Sequence, residues 1–95
     1  MSNINIEFNG GLELIFKNKQ LSLKFEKEQF TLQELVDALK SHIIERPEFF
    51  LTKEGKVRPG VLVLINDSDW ELFDKEHTIL SNNDTVSFIS TLHGG

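Results

Sequence analysis

The sequence predicts an α+β domain, with one helix laid across one face of a single sheet. Three observations point there. Apolar and polar residues alternate in two segments near the start, which is the period of half-buried strands. A single capped amphipathic stretch occupies the middle. Short apolar runs set off by turn residues fill the remainder, giving the order β-β-α-β-β-β.

The elements follow in turn. Ile4, Ile6 and Phe8 alternate with Asn3, Asn5 and Glu7, and Gly10-Gly11 breaks that first strand. Leu12 to Phe16 is apolar but too short to assign. Leu21, Leu23 and Phe25 alternate with Ser22, Lys24 and Glu26, a second strand whose charged outer face suits a sheet edge. Thr31-Leu-Gln-Glu34 reads as a capping box, with Phe30 placed to staple onto Leu35. Leu32, Leu35, Val36, Leu39 and Ile43 recur at spacings of three and four and form one apolar stripe. Pro47 is expected to stop that helix, leaving Glu45 or Arg46 as its last residue. Arg58-Pro59-Gly60 turns the chain into a continuous apolar strand, Val61 to Ile65. Trp70 and Leu72 suggest a brief return strand, and the last strand runs from Thr85 to Thr91 with Val86 and Phe88 inward.

A lone helix covers only one face of a sheet. Alternation sends Val61, Val63 and Ile65 toward it and leaves Leu62, Leu64 and Ile89 on the open face. That trio is either a docking patch or covered by a loop. Arg58 either adds to the patch or serves only its turn.

Composition narrows the function. The 95 residues allow one domain, and eight Phe and one Trp supply a core that a disordered chain would lack. Ten Lys and Arg against fifteen Asp and Glu leave a net charge of −5, so no basic footprint for direct nucleic-acid binding is visible. With no cysteine, disulfides, thiolate metal sites and cysteine nucleophiles are excluded. No basic leader or long apolar run marks a membrane or secretory segment, and a cytoplasmic, monomeric protein is expected. His42, His77 and His93 lack metal-ligand spacing, so no metal is expected. No nucleophile elbow, phosphate loop or dinucleotide fingerprint occurs. The domain is not expected to be an enzyme or to bind a cofactor of its own.

What remains is the end, Leu92-His93-Gly94-Gly95, expected to project as a tail (92–95) beyond a body spanning 1–91. Five residues from Thr91 onward reach at most about 17 Å, enough to thread into another protein's active site. Glycines lack a Cβ and pass where other residues cannot. The reactive group is then the Gly95 α-carboxylate, a poor electrophile until activated, for instance by adenylation with ATP.

Several segments, in order, resemble the eukaryotic ubiquitin-related modifiers, a family of ubiquitin-like sulfur carriers. They are Ile6-Glu-Phe-Asn-Gly-Gly11, Arg46-Pro-Glu-Phe49, Val57-Arg-Pro-Gly60, Leu62-Val-Leu-Ile-Asn-Asp67, Asp69-Trp-Glu-Leu72 and Phe88-Ile-Ser-Thr-Leu-His-Gly-Gly95. The resemblance spans nearly the whole chain. It implies a ubiquitin-like β-grasp fold, a mixed sheet whose final strand lies beside the first and parallel to it. It also implies that an activating enzyme, using ATP and a sulfur donor, adenylates Gly95 and converts it to a thiocarboxylate. A tRNA thiolation complex then installs that sulfur on wobble uridines, and the same end can be joined to lysines of target proteins. Gly94 gives passage through the enzyme's channel. His93 is read either as a contact to the enzyme or as exposed tail. Two other sulfur carriers, the small subunit of molybdopterin synthase and a thiamin-pathway carrier, match the Asp69–Leu72 and Ser90–His93 segments less well. A ubiquitin-fold interaction domain with an incidental tail is the alternative from a different class.

Overall fold

Strand β1 (Ser2–Asn9) buries Ser2, Ile4, Ile6 and Phe8 and turns the residues between them outward. The computed structural model describes residues 1–91. Leu12–Phe16, unassigned from sequence, forms a one-turn helix, α1. Gly10 and Gly11, at φ 73° and 108°, reverse the chain into it, and the Gly11 N–H donates to the Glu13 carboxylate (2.8 Å). Five residues cannot hold a helix alone. Tertiary burial of Leu12, Ile15 and Phe16 holds this one, with the Phe16 ring stacked on Phe8 at 3.9 Å between centroids.

Strand β2 (Gln20–Phe25) returns antiparallel to β1, pairing Ile6 with Leu21 and Ile4 with Leu23. It is the outermost strand of a five-stranded sheet ordered β2-β1-β7-β4-β5. Strand β7 (Thr85–Ser90) lies in the centre, parallel to β1 and antiparallel to β4 (Val61–Ile65). The expected parallel pairing of first and last strands is therefore present. Two three-residue strands, β3 (Gln29–Thr31) and β6 (Ile79–Ser81), form a separate small sheet that periodicity could not reveal.

Helix α2 covers Leu32–Leu39. The Thr31 hydroxyl accepts from the Glu34 N–H at 3.1 Å, as expected of a cap. The Glu34 carboxylate, however, lies 3.5 Å from the Lys27 ammonium, and the Thr31 backbone belongs to the β3–β6 pair. Phe30 stacks on Phe25, with ring centroids 4.1 Å apart. Leu32, Leu35, Val36 and Leu39 are fully buried, each contributing about 1.5–3 kcal/mol of apolar transfer.

The expected end of this helix at Glu45 or Arg46 is corrected. The α-helix stops at Leu39, tightens to a 3-10 turn over Lys40–His42, and Ile43 is extended. A tertiary bond outcompetes further helix, because the Ile44 N–H donates to the Ile15 carbonyl of α1 (2.9 Å). Arg46 then takes a left-handed conformation, and Pro47 starts rather than stops an element, the 3-10 turn Pro47–Phe49. The expected return strand through Trp70 and Leu72 is also corrected. Strand β5 is only Ser68–Asp69, and Trp70–Leu72 is a 3-10 turn. The Asp69 carboxylate accepts from the Glu71 N–H (2.9 Å), which favours the turn over further strand.

The core sits between α2, α1 and the inner sheet face. Phe8, Phe16, Phe50 and Phe88 form its centre; Phe50 meets Phe16 and Phe88 edge-on at 5.4 and 5.1 Å. Val61, Val63 and Ile65 face it, as alternation predicts.

Candidate functional site

The chain leaves the sheet where β7 ends, so β7 and its neighbours fix the root of the expected tail. Two contacts hold that root from opposite sides. On the β1 side, a Cβ at Gly10 would overlap the Ser90 carbonyl, so glycine permits β7 to lie this close. On the β4 side, the Thr91 N–H and hydroxyl both donate to the Gly60 carbonyl, the former at 2.9 Å. Gly60, at φ 100°, occupies the turn that launches β4. Leu92, His93, Gly94 and Gly95, the expected reactive tail, lie outside the described residues.

The open face carries the expected apolar trio. Leu62 is 43% exposed and directly opposite Ile89, while Leu64 and Ile89 are half-buried. Leu64 stands opposite Ser87 on β7 and Asp69 on β5. The trio is thus neither fully buried nor covered by a helix. It is confined to β4 and β7; the β1 and β2 positions on the same face are Asn3, Asn5, Glu7, Asn9, Gln20, Ser22 and Lys24. Between the two halves, the Ser87 hydroxyl donates to the Glu7 carboxylate (3.0 Å).

Arg58 is exposed, and its guanidinium donates to the Glu48 carbonyl at 2.7 Å. Its backbone closes the turn by accepting from the Val61 N–H (3.1 Å). The residue therefore serves the turn and also lines a groove of about 430 Å³ with Gly60, Leu62, Trp70 and Thr91. The structure brings Arg58 and Leu62 together at the tail root; Leu64 and Ile89 lie on the adjoining sheet face. Trp70, Gly60 and Thr91 were not singled out from sequence as site residues. Glycine in Arg58-Pro59-Gly60 was a turn signal, but nothing in the spacing links it to Thr91, which is 31 residues away.

The groove's charges are largely satisfied locally: Asp69 caps its turn and Lys75 faces Glu71 at 3.7 Å. Among the described residues no group of His, Asp and Glu could hold a metal ion, and no helix is long and apolar enough to cross a membrane.

Comparison with known proteins gives the geometry its context. The family model described as Urm1 (Ubiquitin related modifier) matches residues 3–95. The chain is 46% identical to the Gallus gallus protein named Ubiquitin-related modifier 1, over 97% of this chain and 94% of that one. The solution structure of Urm1 from Trypanosoma brucei superposes with a TM-score of 0.84 at 41% identity, covering 99% of this chain and 96% of that one. The crystal structure of SAMP1 from Haloferax volcanii gives 0.83 at 13% identity, covering 99% and 100% of the two chains, a likeness of fold alone. The expected ubiquitin-like β-grasp is thereby borne out, with α1 as a second, minor helix.

Proposed function

Matched from residue 3 to residue 95, this chain belongs to the ubiquitin-related modifier family, and from that premise we propose that it is a sulfur carrier and protein modifier acting through the Gly95 carboxylate. Its relatives are modifiers rather than enzymes, and the work on Gly95 falls to an activating enzyme. The observation that carries this reading is the family match running through Gly94 and Gly95, downstream of a central strand whose last residues are fixed on both sides. Residues 1–91 are the body that the enzyme grips, and 92–95 the tail that enters its channel.

The chemistry follows from what a carboxylate lacks. A Gly95 oxygen attacks the α-phosphorus of ATP and expels pyrophosphate, leaving an acyl-adenylate with a good leaving group. Sulfur delivered at the sulfide level, as hydrosulfide from the sulfur donor, adds to the acyl carbon and expels AMP, and loss of its proton leaves a thiocarboxylate. A tRNA thiolation complex passes that sulfur to wobble uridines, so this acidic chain need not touch nucleic acid itself. Alternatively a target lysine amine attacks the acyl-adenylate carbonyl, AMP departs, and an isopeptide bond forms. The groove of Arg58, Leu62 and Trp70, with Leu64 and Ile89 beside it, is the surface offered to the activating enzyme. Gly94 gives passage, with Leu92 and His93 part of the same tail. The protein acts as a single copy in the cytoplasm.

Incubation with the activating enzyme, ATP and a sulfur donor is expected to shift the intact mass by the exchange of one oxygen for sulfur, localised to Gly95 by fragmentation. An unchanged mass with an enzyme competent on another family member overturns the sulfur-carrier reading.

A further inference from the structure

A second recognition element lies on the far side of the sheet from the groove. Strand β2 pairs with β1 on one edge only. The Phe8 N–H donates to the Lys19 carbonyl (2.9 Å), which sets the parity of the antiparallel pairing. By that parity Leu21, Leu23 and Phe25 direct their backbone groups to β1. Gln20, Ser22 and Lys24 direct theirs away from the sheet, and all three residues are exposed. The result is an open row of donors and acceptors along a strand of about 20 Å.

Two further features say what fits there. Leu21, Leu23 and Phe25 pack against the core yet remain half-exposed at its margin, so an added strand with apolar residues at alternate positions would finish covering them. Lys24 on the strand and Lys19 just before it form no ion pair among the described residues. Lys17, Lys27, Lys40, Lys56 and Lys75 each face a carboxylate, whereas Lys53, in the turn between Thr52 and Lys56, has none among the described residues. In a chain of net charge −5 this edge therefore offers unneutralised cations. A lysine on an edge ordinarily discourages pairing between like chains. It does not discourage a strand that brings its own carboxylates. A second copy of this chain fits poorly, since it would approach with the same lysines on its edge and the same net charge of −5 on its body.

We propose that the free edge of β2 binds an extended acidic-apolar segment of a partner protein, adding it to the sheet as a further strand. The segment's acidic residues lie on the outer face with Lys24, while its apolar residues lie on the inner face with Leu21, Leu23 and Phe25. This surface goes beyond the tail chemistry and does not rest on it. Two strands, β1 and β7, separate the edge from the β4 side of the tail root, so it stays open when the tail is engaged. A partner can thus read the body without competing for the carboxylate.

The test uses the full chain, ¹⁵N-labelled, with the capped peptide Glu-Val-Thr-Ile-Ser-Val-Glu and a control carrying Lys at both ends. The acidic peptide is expected to slow amide exchange at Gln20, Ser22 and Lys24 by about ten-fold at saturation, and the basic one to leave it unchanged. Lys24→Glu, an exposed side-chain change outside the core, is expected to weaken the acidic peptide by about five-fold. Any of four results overturns the proposal. These are no slowing with the acidic peptide, equal slowing by both peptides, slowing that rises with protein concentration alone, or shifts confined to the Leu62 and Ile89 face.

Discussion

The two faces of the five-stranded sheet use the same strands but are built on different rules. On the inner face, Ile4, Ile6, Phe8, Val63, Val86 and Phe88 are at most 1% exposed and meet α1, α2 and Phe50. On the outer face, residues one position along in the same strands include Leu62 at 43% exposure, half-buried Leu64 and Ile89, and a buried Ser87 bonded to Glu7. Adjacent residues Ser87 and Phe88 thus belong to separate systems. The inner face holds the fold together, and the outer face leaves apolar surface unspent beside the tail root. Core packing and exposed apolar surface are divided by side-chain parity, not by location along the chain.

Three substitutions test that division, from the largest expected effect on stability to the smallest. Phe88→Ala removes the ring between Phe8 and Phe50 and is expected to cost about 3–5 kcal/mol, read from urea unfolding. A loss under about 1 kcal/mol would mean that the aromatic cluster is not the centre of the fold. Ser87→Ala, one residue away, removes a single partly buried hydrogen bond and is expected to cost about 0.5–1.5 kcal/mol. A double-mutant cycle with Glu7→Ala should attribute most of that to the pair; additive losses would show that the bond contributes nothing. Leu62→Asp is expected to change stability by less than about 1 kcal/mol while raising the activating enzyme's KM for this chain by about ten-fold. If KM is unchanged, the outer apolar trio is not the enzyme's docking surface, and the groove around Arg58 and Trp70 must act without it.

Much of this division was legible from the sequence because it depends on a period of two. Ile4, Ile6 and Phe8, and Val61, Val63 and Ile65, announce the inner face; Leu62, Leu64 and Ile89 fall to the outer one by the same count. The α2 stripe was legible for the same kind of reason, at a period of 3.6. What escaped was shorter than a period or held from a distance. Helix α1 is a single turn stabilised through the Phe8–Phe16 stack. Strands β3 and β6 pair with each other, across some 50 residues of chain. The end of α2 is decided by the Ile15 carbonyl on another helix, which no capping rule contains. At the candidate site, Gly94 and Gly95 were open to a reading from sequence because glycine at a tail has a physical meaning. The groove beside their root was not, because Gly60, Trp70 and Thr91 come together only when β4 and β7 pair.

The central place of β7 has a consequence for how the molecule is made. Its neighbours β1 and β4 appear early and midway during synthesis, but they do not pair with each other; each waits for residues 85–90. The bond from Ser87 to Glu7 closes a separation of 80 residues. Such late, long-range closure slows folding. It also means that a ribosome-bound chain lacking β7 presents neither the finished sheet nor the groove at its end. An enzyme that grips the assembled body therefore meets the tail only after the polypeptide has been translated through its last strand.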